Sequence, residues 1–200
     1  TLFFTMLASM LLGMGLPSIP AYIITATMAA PALANFDIPI LVAHMFVFYF
    51  GLFANITPPV ALASFAGAGI AGGDPMKTGF QSLKLALAGF IVPFMFVYNP
   101  AMLMLETTDA LISSKEFPLP SLWVIFSVTV TAIIGIIALS AAVEGYFKSH
   151  LNPLMRIILA AGAFMLIVPE TLTDVLGVAI VGLVAFWNIM QSNKQQVHKA

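Results

Sequence analysis

Gly13-Met14-Gly15-Leu16-Pro17-Ser18-Ile19-Pro20 packs two glycines and two prolines into eight residues inside a long apolar region. No continuous helix tolerates such a segment: proline removes amide donors and clashes with the preceding turn, and glycine ends helices. The flanking apolar runs, 1–14 and 19–34, are each shorter than the ~20 residues that cross hydrocarbon as helix. Two half-length helices joined by a Gly/Pro tip read as a re-entrant hairpin, entering and leaving on one side. A single proline-kinked span is the alternative. Either reading places the chain in a bilayer, and composition agrees: 61% of the 200 residues are hydrophobic and 8% charged. A soluble domain carries about 25% charged residues. The fold class is therefore an all-α polytopic membrane protein.

A second interruption falls in the apolar stretch 39–71, at Asn55-Ile56-Thr57-Pro58-Pro59. Each proline disfavours helix at the residue before it. The reading is a broken helix, 40–54 and 60–71, with an unwound midpoint. Irregular backbone survives at membrane depth only when buried in protein or lining a wet cavity. Further on, 80–105 and 119–147 are long enough for full spans, and 154–168 and 172–191 read as two spans meeting at a Pro169-Glu170 turn. Two regions follow: 1–106 with hairpin, broken helix and transmembrane helix 80–105, and 107–200 with about three helices and a short tail.

The charges orient this arrangement. Lys77 and Lys84, Lys148 and Arg156, then Lys194 and Lys199 fall on alternate loops. The intervening loops carry Asp37, then Glu106, Asp109 and Glu116 with Lys115, then Glu170 and Asp174. The positive-inside rule puts 72–84, 147–156 and the C-terminus in the cytoplasm, so the hairpin opens from the outer face. Thr1 is not an initiator Met and no basic segment precedes the first apolar run, which suggests a piece of a longer polypeptide.

Several chemistries are excluded or unsupported. The chain has no cysteine, so disulfides and thiolate metal sites are ruled out, and 7 Lys+Arg against 8 Asp+Glu offer nucleic acid no basic surface. His44 has no second ligand at metal spacing and reads as a packed or interfacial histidine; no transition-metal site or cofactor is expected. Ser18, Ser64 and Ser140 lack acid and base partners, so an enzyme is not expected. Glu144 reads as an interfacial partner of Lys148 at i, i+4. Gly67, Gly69, Gly72 and Gly73 with Ala66, Ala68 and Ala71 form a small-residue packing surface.

The two breaks carry the functional signal. A hairpin tip beside a broken helix is how secondary transporters build a midplane site, with half-helix ends and freed carbonyls as ligands. The oxygens here are the side chains of Asn55 and Thr57 and the nearby backbone, faced by Ser18 and the Gly13–Gly15 backbone. No carboxylate is available at either break, which suits Na⁺ held by neutral oxygens rather than a proton relay.

The order of motifs resembles one family. Gly13-Met14-Gly15-Leu16-Pro17, Ala21-Tyr22, Ala30-Pro31-Ala32-Leu33 and His44-Met45-Phe46-Val47-Phe48-Tyr49 are similar to stretches of the large membrane subunit of TRAP (tripartite ATP-independent periplasmic) transporters. So are Ile56-Thr57-Pro58-Pro59-Val60-Ala61-Leu62, Ala71-Gly72-Gly73-Asp74-Pro75-Met76-Lys77-Thr78-Gly79 and Ile91-Val92-Pro93-Phe94-Met95-Phe96-Val97-Tyr98. The resemblance covers about 9–105; residues 119–191 look like the C-terminal extension of fused permeases. It implies one inverted repeat of an elevator-type, Na⁺-driven importer of organic acids such as C4-dicarboxylates in a bacterial or archaeal inner membrane. It further implies a periplasmic substrate-binding protein as partner, and an N-terminal half and small membrane subunit in the same polypeptide. By the same likeness Asn55, Thr57 and Gly15 would hold Na⁺, and Gly13, Pro17, Ser18, Pro58 and Pro59 would line the substrate region. A proton-coupled transporter and a non-transporting membrane scaffold subunit remain the alternatives.

Overall fold

The structure, a computed structural model, describes residues 1–36, 38–105, 119–167 and 171–197. Asp37, the acidic segment 106–118 with Lys115, the Pro169-Glu170 turn and Lys199 lie outside these residues, so the expected loops and domain boundary there are not described. The chain divides into two compact units, Thr1–Pro120 and Ser121–Ala200.

In the first unit, α1 (Leu2–Gly13) and α2 (Ser18–Met28) form the hairpin, and α3 (Ala30–Ala34) extends its second arm. Both arms pack on α4 (Ile40–Phe53). This helix is apolar all round, as expected for a helix surrounded by protein and lipid, and its Val42, Phe46, Val47 and Phe50 are buried. Aromatic edges lock the packing: the Phe46 ring lies 4.9 Å from Phe50 and 5.3 Å from Phe94, and Phe53 stacks on Phe90 at 4.6 Å. Tyr22 Oη and His44 Nδ1 share a hydrogen bond of 3.0 Å, so His44 is a packed residue bridging α2 and α4.

A 3₁₀ turn, Ala54–Ile56, ends α4, and α5 (Leu62–Ala71) resumes after five non-helical residues. Gly72, left-handed at φ +67, ends α5, and Gly73 donates back to Ala68 O at 2.8 Å. Asp74 then caps α6 (Pro75–Ala86), its carboxylate accepting from Lys77 N at 2.8 Å with Pro75 in the first turn. Lys77 and Lys84 therefore sit on a helix with a polar face and not, as the charge pattern suggested, on a loop.

The expected span 80–105 is not one helix. α6 gives way to a 3₁₀ turn, Gly89–Ile91, then α7 (Val92–Tyr98) and a last 3₁₀ turn, Pro100–Leu103. The axis bends by 57° between Pro75–Ala86 and Gly89–Tyr98. Pro93 has no amide for the Gly89 carbonyl and Pro100 none for Phe96, which removes the helical bonds a straight span needs.

The second unit holds α8 (Leu122–Glu144), α9 (Pro153–Ile167) and α10 (Thr171–Val197). Among the described residues, Leu122–Glu144 and Leu172–Met190 are the helices long and apolar enough to cross a membrane unaided. The 15 residues of α9 reach only about 22 Å, short of a full crossing. Asp174 falls in the first turn of α10, not in a loop, and α10 continues helical to Val197 where a short tail was expected. Small residues set both interfaces: a Cβ on Gly135 would meet Ala163 O at 3.3 Å, and one on Gly162 would meet Ile180 Cγ2 at 2.8 Å. Glu144 is the last residue of α8 and Gly145 turns left-handed at φ +76, so Lys148 lies beyond the helix. The helical i, i+4 spacing expected for Glu144 and Lys148 ends at Gly145, and Asn188 holds the Lys148 amide.

Candidate functional site at the hairpin tip and broken helix

The tip and the broken helix, separated by about forty residues, are brought together. Gly13 ends α1 against Gly51 of α4, so closely that a Cβ at 13 would sit 2.5 Å from Gly51 O. Gly51 has Thr25 of α2 on its other side, whose Cγ2 would lie 3.3 Å from an added Cβ. Gly15, left-handed at φ +75, faces Val60, with 3.6 Å between its would-be Cβ and Val60 Cγ1. Gly79 of α6 closes on the break from α6, 3.1 Å from Pro58 Cγ by the same measure. Gly13 and Gly79 thus let the hairpin tip and α6 close on residues 51–61, an approach that a side chain at 13 would block and one at 79 would crowd, while Gly15 supplies the left-handed turn.

The break has a local chemical cause. Pro58 and Pro59 stand three and four residues beyond Asn55, the positions whose amides would bond its carbonyl in a 3₁₀ turn or an α-helix. Neither has an N–H, so the Asn55 carbonyl is left without a helical donor. Ala54 O is served instead by Thr57 N at 3.3 Å, and Thr57 O by Ala61 N at 3.2 Å. Thr57 is extended (φ −105, ψ 121), as a residue before proline must be. Ala61 re-enters the helix left-handed at φ 35, a strained position for a residue with a Cβ.

Thr57 is buried, and its hydroxyl donates to Phe53 O at 2.7 Å, which leaves the oxygen's lone pairs available. Asn55 is half-buried and its amide makes no hydrogen bond among the described residues. The tip reaches the break through Gly13 and Gly15, whereas Pro17 and Ser18 at the start of α2 stand exposed. Two hydroxyls that the motif pattern passed over are buried with no partner among the described residues: Ser9, one turn before Gly13, and Ser64, in the first turn of α5. Serine in a helix ordinarily back-bonds to a carbonyl, so nothing in the sequence marks these two as different. Neither break carries an ionisable side chain. The arrangement offers neutral oxygens only, from one amide, one hydroxyl and unbonded backbone.

A family model described as Tripartite ATP-independent periplasmic transporter, DctM component, matches residues 1–111. The match takes in the hairpin, the broken helix and the bent α6–α7 pair, and ends before the second unit. No curated protein and no solved structure matches the chain. With more than half of its length matched, the chain belongs to the DctM family of membrane components of tripartite ATP-independent periplasmic transporters.

Proposed function

We propose that this chain is part of a permease that imports small organic acids on a Na⁺ gradient, receiving them from a periplasmic binding protein. The observation that carries this reading is the meeting of Gly13 and Gly15 with a helix break whose Asn55 carbonyl has lost both its helical donors. Unwound backbone at such a junction is suited to a desolvated cation. In this reading Na⁺ takes oxygens from Asn55, Thr57 and the Gly15 backbone. The substrate carboxylate lies along Gly13, Pro17, Ser18, Pro58 and Pro59, drawn by helix N-terminal amides, since no basic side chain stands at either break. The hairpin and broken helix act as one repeat of an elevator, and the partner repeat and small subunit are supplied by an N-terminal portion of the same polypeptide. The permease resides in the inner membrane with its C-terminus in the cytoplasm, following the lysine and arginine distribution.

The test is uptake by the full permease in proteoliposomes with its binding protein and a mixture of C4-dicarboxylates. Accumulation that requires both an inward Na⁺ gradient and the binding protein supports the reading. Uptake driven by a pH gradient with K⁺ replacing Na⁺ makes the transporter proton-coupled and removes the cation role of Asn55 and Thr57. Absence of uptake across the organic-acid series, with binding protein and Na⁺ present, makes the chain a scaffold subunit.

A further inference from the structure

At one end of the second unit two cations, Arg156 and Lys148, stand close in sequence to the turn between α8 and α9. Arg156, in the first turn of α9, reaches back to the C-terminus of α8: its Nε donates to Ala142 O at 2.8 Å and its Nη2 to Val143 O at 2.9 Å. These carbonyls are two of the four a helix leaves unbonded at its end. Gly145 makes room for the guanidinium, since a Cβ there would lie 3.3 Å from Arg156 Cζ and Nη1. The guanidinium is thus fixed in place by two of its five N–H groups. Lys148 is exposed. Its backbone is held by Asn188 of α10, whose side-chain oxygen accepts from Lys148 N and Ser149 N at 3.0 Å each.

Exposed aromatic rings of the kind found at membrane interfaces stand at this end. Trp187 adjoins Asn188 and is 54% exposed, and Tyr146 of the same turn is 49% exposed; such rings mark the headgroup level. Beside the guanidinium runs an open groove of about 380 Å³ lined by Ala142, Val143, Pro153, Arg156, Ile157 and Ala160. Arg156 is the one charged residue on an otherwise apolar lining. Exposed Leu154 and Ile157 continue the apolar surface toward the membrane.

We propose that this groove binds an anionic phospholipid, with Arg156 and Lys148 engaging the headgroup phosphates and the Val143–Ile157–Ala160 surface taking an acyl chain. A guanidinium held by two carbonyls keeps donors for phosphate oxygens without further ordering of its side chain. Basic pockets between membrane helices at headgroup depth suit cardiolipin and phosphatidylglycerol. A free phosphate would satisfy the cations but leave the apolar groove unused.

The test is native mass spectrometry of the full permease released from mixed micelles of phosphatidylglycerol and phosphatidylcholine, with inorganic phosphate as a separate arm. The expected result is preferential retention of phosphatidylglycerol that falls by about fivefold for each cation removed, in Lys148→Gln and in Arg156→Gln. Lys148→Gln is the variant whose folding is safe, because it is exposed and glutamine keeps the backbone N–H that Asn188 accepts from. Ile157→Trp, which fills the groove, should lower retention of lipid without changing the response to inorganic phosphate. Equal retention of the two lipids by the unaltered protein, or an unchanged preference in Lys148→Gln, overturns the proposal. Displacement of phosphatidylglycerol by millimolar inorganic phosphate also overturns it, in favour of a soluble anion site.

Discussion

Gly13 and Gly51 touch backbone to backbone, with no side chain between the end of the first hairpin arm and the last turn of the helix it rests on. An alanine methyl at 13 would fall 2.5 Å from a carbonyl oxygen and 2.8 Å from a Cα, atoms that cannot swing aside. At 51 the methyl would meet the Thr25 side chain at 3.3 Å, which can yield. Gly13→Ala should therefore destabilise the permease by about 1–3 kcal/mol, the range for overpacking a tight interface, and Gly51→Ala by less. Thermal unfolding in detergent measures both. Equal midpoints for the two variants would mean that α1 can separate from α4 at no cost.

Gly15 offers a cleaner probe of function than of packing. Its φ of +75 makes any L-residue there strained by about 1–2 kcal/mol, but the added methyl would meet Val60 only at an ordinary 3.6 Å. Gly72 has a similar φ of +67 and nothing within 4 Å of its would-be Cβ, so Gly72→Ala carries matched strain away from the break. Both variants should lose similar stability, and Gly15→Ala alone should raise the sodium concentration needed for half-maximal uptake. Matching sodium curves for Gly15→Ala and Gly72→Ala would remove the tip backbone from the cation site.

What the sequence disclosed follows from which residues act locally. Gly13, Gly15, Pro17, Pro58 and Pro59 dictate backbone at their own positions, so the hairpin tip and the break were legible within a residue or two. The bend after α6 was missed because apolar composition masked Gly89, a weak helix former, and Pro93 and Pro100, which remove hydrogen bonds to carbonyls four residues back. The helix assumed to carry Glu144 and Lys148 at i, i+4 stops between them because Gly145 is a left-handed helix end, which was not weighed against the spacing. Long-range bonds left no local trace. Nothing near Asn188 announces that it holds a turn some forty residues earlier, and nothing near Ser9 or Ser64 announces an unpartnered hydroxyl.

Asn188 is fully buried and clamps the α8–α9 turn: its Oδ1 accepts from Lys148 N and Ser149 N, and its Nδ2 donates to Ser149 O at 3.1 Å. Asn188→Leu fits the apolar surroundings of Val184 and Leu159 but strands two amides and a carbonyl. At about 1 kcal/mol or more for each unmade bond, the variant should destabilise the second unit by about 3 kcal/mol. The Lys148 and Ser149 amides should then lose protection in hydrogen exchange by about a hundredfold. Unchanged protection would show that the turn holds itself without α10.

Thr57 combines two roles that a pair of substitutions can separate. Its hydroxyl donates to Phe53 O at 2.7 Å, which steadies the last turn of α4, and the same oxygen is the proposed Na⁺ ligand. Thr57→Val removes both and should cost about 1 kcal/mol of stability together with about tenfold in apparent sodium affinity. Thr57→Ser keeps the oxygen and the donated bond while removing only a methyl, so its sodium dependence should stay within about twofold of the unaltered permease. The informative measurement is uptake against sodium concentration for both variants, each set beside its thermal midpoint. A purely structural threonine would give Thr57→Val a lower midpoint and an unaltered sodium curve, and the cation role would then pass to the Asn55 and Gly15 backbone alone.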